Sequence, residues 1–209
     1  MFTTEILITY LMAVFIVVIA PGPDNILAIS RGLSQGWLAA AASSIGAGCG
    51  IMFHTMAATL GLALVLQTSP LAFWVVKVIG AAYLLWLGYK AITSQNLIAL
   101  TPATYQPLRR IFMVGLLSNV LNPKPGLFVV AFIPQFVSVA RGSVQVQMLV
   151  YGAIFAVVTA VIFTLLGGFS AQLANWLSRR PKAIVAANIG AGLTFIAAGL
   201  SILALGRSR

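Results

Sequence analysis

The chain is 209 residues long, 61% hydrophobic and only 7% charged, with a mean hydropathy of +1.06. A soluble domain needs roughly a quarter of its residues charged to cover its surface; without that shell the solvent is lipid, and no separate soluble domain fits. The net charge of +10 does not mark a nucleic-acid partner, because Lys and Arg stand singly or in pairs between apolar runs. One cysteine, Cys49, one histidine, His54, and two acids, Glu5 and Asp24, exclude an internal disulfide and a closed metal site, and no cofactor is expected.

Six apolar runs of about 20 residues are predicted to cross the membrane: 6–29, 38–66, 71–92, 111–137, 148–169 and 184–205. The first lacks a basic leader and a cleavage signal, so it reads as a permanent helix. It carries Pro21-Gly22-Pro23-Asp24 and is followed by a turn signal at Arg31-Gly32. The second carries Gly46, Gly50 and His54 at four-residue spacing, a small-residue stripe that lets helices approach closely within one chain or between two copies in a homodimer. A polar gap over 93–110, with Pro102 and Pro107, then divides a first repeat (about 1–93) from a second (about 109–209), joined by a linker (about 94–108). The fourth run carries Asn122-Pro123-Lys124-Pro125-Gly126.

Three helices per half is an odd number, so two similar halves must lie in opposite orientations in the membrane. Aligning Pro21-x-Pro23 on Pro123-x-Pro125 gives an offset of 102 residues, which maps one half onto the other. The expected fold is therefore an all-α membrane protein, a single transporter domain of six transmembrane helices built as two inverted three-helix repeats, with helices one and four broken at Pro-x-Pro. Loops after helices one, three and five hold Arg31, Lys90, Arg109, Arg110, Arg179, Arg180 and Lys182, against Arg141, Arg207 and Arg209 on the other side. Basic residues collect on the cytoplasmic face, so both termini are expected outside.

A proline within a helix removes a backbone donor and clashes with the preceding turn, costing about 3 kcal/mol or more. Freed backbone groups in hydrocarbon must be buried in protein or face a watery cavity. Corresponding interruptions in two halves therefore mark a binding site. Pro23 and Pro125 each suit the first position of a new half-helix, whose amide-rich end holds an anion, while the freed carbonyls before the break hold a cation. That pattern matches a zwitterion such as an amino acid. Asp24 and Lys124, charges within apolar runs, are functional candidates by default. Asp24 suits a substrate ammonium or a coupled proton; Lys124 suits a substrate carboxylate or neutralises Asp24 in the empty state. The candidate substrate site is Pro21, Gly22, Pro23, Asp24, Asn25, Asn119, Asn122, Pro123 and Lys124, the asparagines serving either the ligand or the freed backbone. His54 is a second candidate for moving protons, against a plain structural hydrogen bond.

At these breaks the sequence resembles the LysE/RhtB family of amino-acid exporters. The likeness rests on Pro21-Gly22-Pro23-Asp24 running to Arg31-Gly32, Gly36 and the Gly46/Gly50/His54 stripe; on Lys77-Val78-Ile79-Gly80-Ala81-Ala82-Tyr83 and its continuation to Gly88; and on Gly115-Leu116-Leu117-Ser118-Asn119-Val120-Leu121-Asn122-Pro123-Lys124 with Phe128. The resemblance implies proton-driven efflux of amino acids or close derivatives across a bacterial inner membrane. The branch exporting threonine and homoserine looks nearest, because Asp follows Pro-Gly-Pro. A related cadmium branch suits poorly a chain with one Cys and one His. The alternatives are an uptake or exchange carrier for another small zwitterion or cation, and a membrane-embedded enzyme, for which paired histidines and a nucleophile with its base are missing.

Overall fold

A backbone facing lipid must satisfy its own amides and carbonyls, and the helix does so within each segment. The computed structural model describes residues 3–20, 22–68, 70–93, 103–178 and 181–204, and every regular element among them is helical. In chain order these are α1 (Thr4–Ile19), α2 (Pro23–Gln35), α3 (Trp37–Thr68), α4 (Pro70–Thr93), α5 (Leu108–Leu121), α6 (Pro123–Ala131), two 3-10 turns (Ile133–Phe136 and Val139–Arg141), α7 (Val144–Gly168), α8 (Ser170–Ser178) and α9 (Pro181–Ala204).

Among the described residues, α3 (as Trp37–Gly61) and α7 are each long and apolar enough to cross a membrane. Two bent pairs, α1 with α2 at 63° and α5 with its continuation to Phe136 at 54°, qualify if each is one span. The outer surface has the polarity of a lipid-facing one. Ile8, Met12, Phe15 and Ile19 form an exposed stripe along α1, and Val157, Val161 and Leu165 expose another on α7. Exposed apolar surface of this extent needs an apolar solvent.

α3 is the central element. It packs most extensively on α5 and α7, while α4 packs on α9. Small residues set these distances. A Cβ at Gly46 would run into the backbone at Phe112, and one at Gly115 into the carbonyl of Ser43. One at Gly50 would lie 2.7 Å from the Asn119 side chain. The stripe of the second predicted helix is thus filled by α5 of the same chain. Gly88 and Gly192 bring α4 and α9 together in the same manner. α1 docks on α7 through Tyr10, whose hydroxyl donates to the Tyr151 carbonyl at 2.7 Å, inside a cluster with Phe136.

Several predicted boundaries shift. The turn expected at Arg31-Gly32 falls instead at Gly36 (φ +76°), which reaches a left-handed conformation without a Cβ clash, and α2 runs on to Gln35. Arg31, counted as a loop charge, lies inside α2 and is only 5% exposed. It donates to the Thr104 carbonyl at 2.7 Å and to Gln106 Oε1 at 3.0 Å. Gln35 exchanges two 2.8 Å bonds with the Gln106 backbone. The end of the linker is thereby fastened to α2, while residues 94–102 lie outside the described residues, as do Arg179, Arg180, Arg207 and Arg209. The run over 111–137 divides at Asn122 and ends in a 3-10 turn. α8, a short helix after α7, was not expected.

Forcing a side chain into a close helix crossing costs about 1–3 kcal/mol, occasionally more. Gly115→Val is expected to lower the thermal midpoint and the folded yield in detergent. Gly61→Val, where a Cβ meets nothing within 4 Å, is the matched control and should leave both unchanged.

Candidate functional site

Each bent pair is joined by a non-helical step closed by an asparagine. At the first, Ala20 N still donates to Ile16 O (3.0 Å), and α2 restarts with Gly22 as its cap and Pro23 as its first residue. Asn25 reaches back across the step: its Oδ1 accepts from Gly22 N at 2.8 Å, and its Nδ2 donates to Ala20 O at 3.1 Å. At the second, Asn122 N donates to Asn119 O (3.0 Å), and Asn122 Oδ1 accepts from Lys124 N at 3.1 Å. The first amides of a helix have no intrahelical partner, and these side chains supply one.

Here the second half-helix corrects the expected register. α6 begins at Pro123, not Pro125. Pro125 occupies its third position, where a missing N–H removes no helical bond. Pro23 and Pro123 are therefore equivalent first residues, and Asp24 and Lys124 both stand second in their half-helices. Matched by helix start, the offset is 100 residues, not 102.

The two charges do not pair with each other. Asp24, 7% exposed, accepts from Ser118 Oγ at 2.8 Å on one oxygen, and from Asn119 Nδ2 at 2.8 Å and Asn122 Nδ2 at 3.0 Å on the other. All three donors belong to the other bent pair. Lys124 reciprocates: its Nζ donates to Ala20 O at 2.8 Å, the freed carbonyl before the first step, and lies 5.8 Å from the Phe195 ring centroid. An ammonium carries three N–H donors, and among the described residues one hydrogen bond leaves two of them uncommitted. Of the two roles open to Lys124, direct pairing with Asp24 is not the one seen here: neutral donors from α5 and its cap Asn122 hold the carboxylate instead.

A small, partly open cavity of about 30 Å³ lies between the two steps. Gly22, Asp24, Asn25, Asn119, Asn122 and Lys124 all line it. Pro23 and Pro123 do not line it; they shape the steps instead. Pro21 lies outside the described residues. His54 stands behind this wall, its Nε2 at 3.1 Å from Asn119 O and its ring against Gly126. It makes no hydrogen bond to Asp24 or Lys124 and instead holds the residue that holds Asp24.

Ser118 and Thr159 were not foreseen at the site, and Pro125 was named only as a helix start. Ser118, a direct donor to Asp24, passes for an ordinary membrane-helix serine. Pro125 lines the cavity from the first turn of α6. Thr159 enters from α7 between Phe155 and Phe163, and nothing in the sequence sets it apart from Thr164 five residues on. The side-chain oxygens of Asn119 and Thr159 are both buried with no hydrogen-bond partner.

The family model described as LysE type translocator matches residues 15–206. The homoserine/homoserine lactone efflux protein of Salmonella typhimurium is 31% identical over 198 residues, 94% of this chain and 95% of its own. The leucine efflux protein of the same organism is 30% identical over 196 residues, 90% of each chain. YrhP of Bacillus subtilis, an uncharacterized membrane protein, is 31% identical over 172 residues, 77% of this chain and 80% of its own. No solved structure gives a significant match. With the match running from α1 to the end of α9, the chain belongs to the LysE type translocator family of membrane proteins.

Proposed function

We propose that the protein is a secondary active exporter of amino acids or close derivatives across the bacterial inner membrane, coupled to protons, with the substrate bound in the cavity between the two helix steps. The observation that carries this reading is that a buried acid and a half-buried base line one cavity without forming an ion pair. Opposite charges held apart fit a ligand carrying both. The efflux names of the homoserine and leucine relatives supply the direction and the substrate class.

In this reading the six crossings are α1 with α2, α3, α4, α5 with α6, α7 and α9, arranged as two inverted halves. The shared position of Asp24 and Lys124 in their half-helices supports that pairing. Arg31 and the linker residues it binds mark one end of the molecule, while Glu5 and Arg141 share a groove at the other. The first is the cytoplasmic end by its share of basic residues, and both termini lie outside.

The substrate carboxylate takes the uncommitted N–H groups of Lys124. The substrate ammonium displaces neutral amides from Asp24. A carboxylate holds an ammonium or a proton, but not both at full strength, because the first needs the negative charge that the second removes. Protonation of Asp24 from the outer side therefore releases the amino acid outward. The protonated site returns, loses its proton to the cytoplasm and binds again. Exchange of one proton for one zwitterion follows from that competition. His54, through the Asn119 carbonyl, positions this carboxylate without sharing its proton.

Asp24→Asn is expected to leave insertion intact and to cut pH-driven transport in vesicles at least about a hundredfold, an effect of the size that removing a proton-transfer group has elsewhere. Normal rate and pH dependence in that variant would refute the coupling role. Lys124→Ala is expected to weaken binding of carboxylate-bearing substrates by about tenfold or more, the loss of one charge-assisted hydrogen bond. A lactone or methyl ester of the same amino acid should be affected far less. Equal losses for both would assign Lys124 a purely structural role.

A further inference from the structure

Hydroxyls in apolar helices ordinarily close on their own backbone. Thr9, Thr55, Thr59, Thr93 and Thr164 each donate to the carbonyl four residues earlier, at 2.6–2.9 Å. Thr159 departs from these five. Its neighbour in that pattern is the Phe155 carbonyl, yet its hydroxyl has no partner, although the residue is only 2% exposed. A buried hydroxyl without a partner loses its water and gains nothing in return. Its place explains the exception. Thr159 lines the same cavity as Asp24 and Lys124 but enters from α7, with Phe155 and Phe163 one turn away on either side and Ile51 and Val17 completing an apolar wall.

The cavity therefore has two chemically distinct parts. One, built from the helix steps, carries the charges that fit an α-amino and an α-carboxylate group. The other is apolar apart from a single unsatisfied hydroxyl. We infer that this second part is the subsite for the substrate side chain, and that Thr159 hydrogen-bonds it, selecting amino acids whose short side chain carries a hydroxyl over aliphatic ones of the same shape. This assignment rests on the zwitterion site proposed above and adds the group that discriminates among its ligands. The relatives include one named for homoserine and another for leucine, so kinship alone leaves the choice open. An aliphatic side chain bound there would leave the Thr159 hydroxyl unpaired; a hydroxylated one satisfies both partners.

The test uses the full-length protein in proteoliposomes with isosteric substrate pairs, threonine against valine and homoserine against norvaline, comparing kcat/KM. The wild type is expected to favour the hydroxylated member of at least one pair by about tenfold, the equivalent of one neutral hydrogen bond. Thr159→Val, which keeps the shape and removes the hydroxyl, should bring that ratio close to one, and Thr159→Ser should retain it. Because the hydroxyl bonds nothing in the protein, Thr159→Val should also unfold at the wild-type temperature or above. An unchanged ratio in Thr159→Val, a wild-type preference for the aliphatic member in both pairs, or a valine variant that fails to fold would each overturn the assignment. A wild-type protein that carries none of these amino acids would overturn the exporter reading and this one with it.

Discussion

The site depends on one reciprocal interaction. The acid of one helix step is held by donors from the other step, and the base of the other step is held by a carbonyl from the first. A lone charge in hydrocarbon is expensive, and a buried ion pair recovers only part of the desolvation it requires. The crossed arrangement avoids both extremes. Asp24 is stabilised by three neutral donors that leave its charge uncancelled, and Lys124 by a carbonyl that has lost its helical partner. Each break supplies what the other break needs, so neither can be closed without disturbing both.

Everything around this bracing serves to hold two bent pairs at the right separation. α3 is the spacer. Gly46 and Gly50 let α5 approach until Asn119 meets Asp24, and Gly115 returns the approach from the other side. His54, two turns beyond Gly46 on α3, then fixes the Asn119 carbonyl. The stripe is thus both a packing surface and a register device, because its small residues set the depth at which α5 sits and its histidine sets the angle of the residue at its end. The linker does similar work at the far end of α2. Arg31 and Gln35 tie residues 104 and 106, just before α5, to the same half-helix that carries Asp24.

Much of the site was legible because it is local. A proline beside a glycine interrupts a helix wherever it lies, and an isolated charge in an apolar run is conspicuous. Asp24, Lys124 and the flanking asparagines could be named from these facts alone. Their partners could not. Whether Asn25 caps a step or binds a ligand depends on which way its amide turns, and it turns toward Gly22 and Ala20. The register of the second step was misread by two residues because Pro123 and Pro125 are equally good helix starters in isolation. The Asn122 side chain, capping Lys124 N, decides for Pro123.

The sequence by itself determined that the chain lives in lipid, that it is helical, and where two of its helices must give way. Those properties follow from composition and from the covalent chemistry of proline, and neighbours cannot alter them. Tertiary structure alone decided that the steps face one cavity, that Asp24 and Lys124 bind across it without touching, that Ser118 reaches Asp24 and that Thr159 lines the same cavity. Those outcomes depend on side chains separated by about a hundred residues meeting within hydrogen-bond distance, and only the packing of α3 against α5 and α7 brings them there.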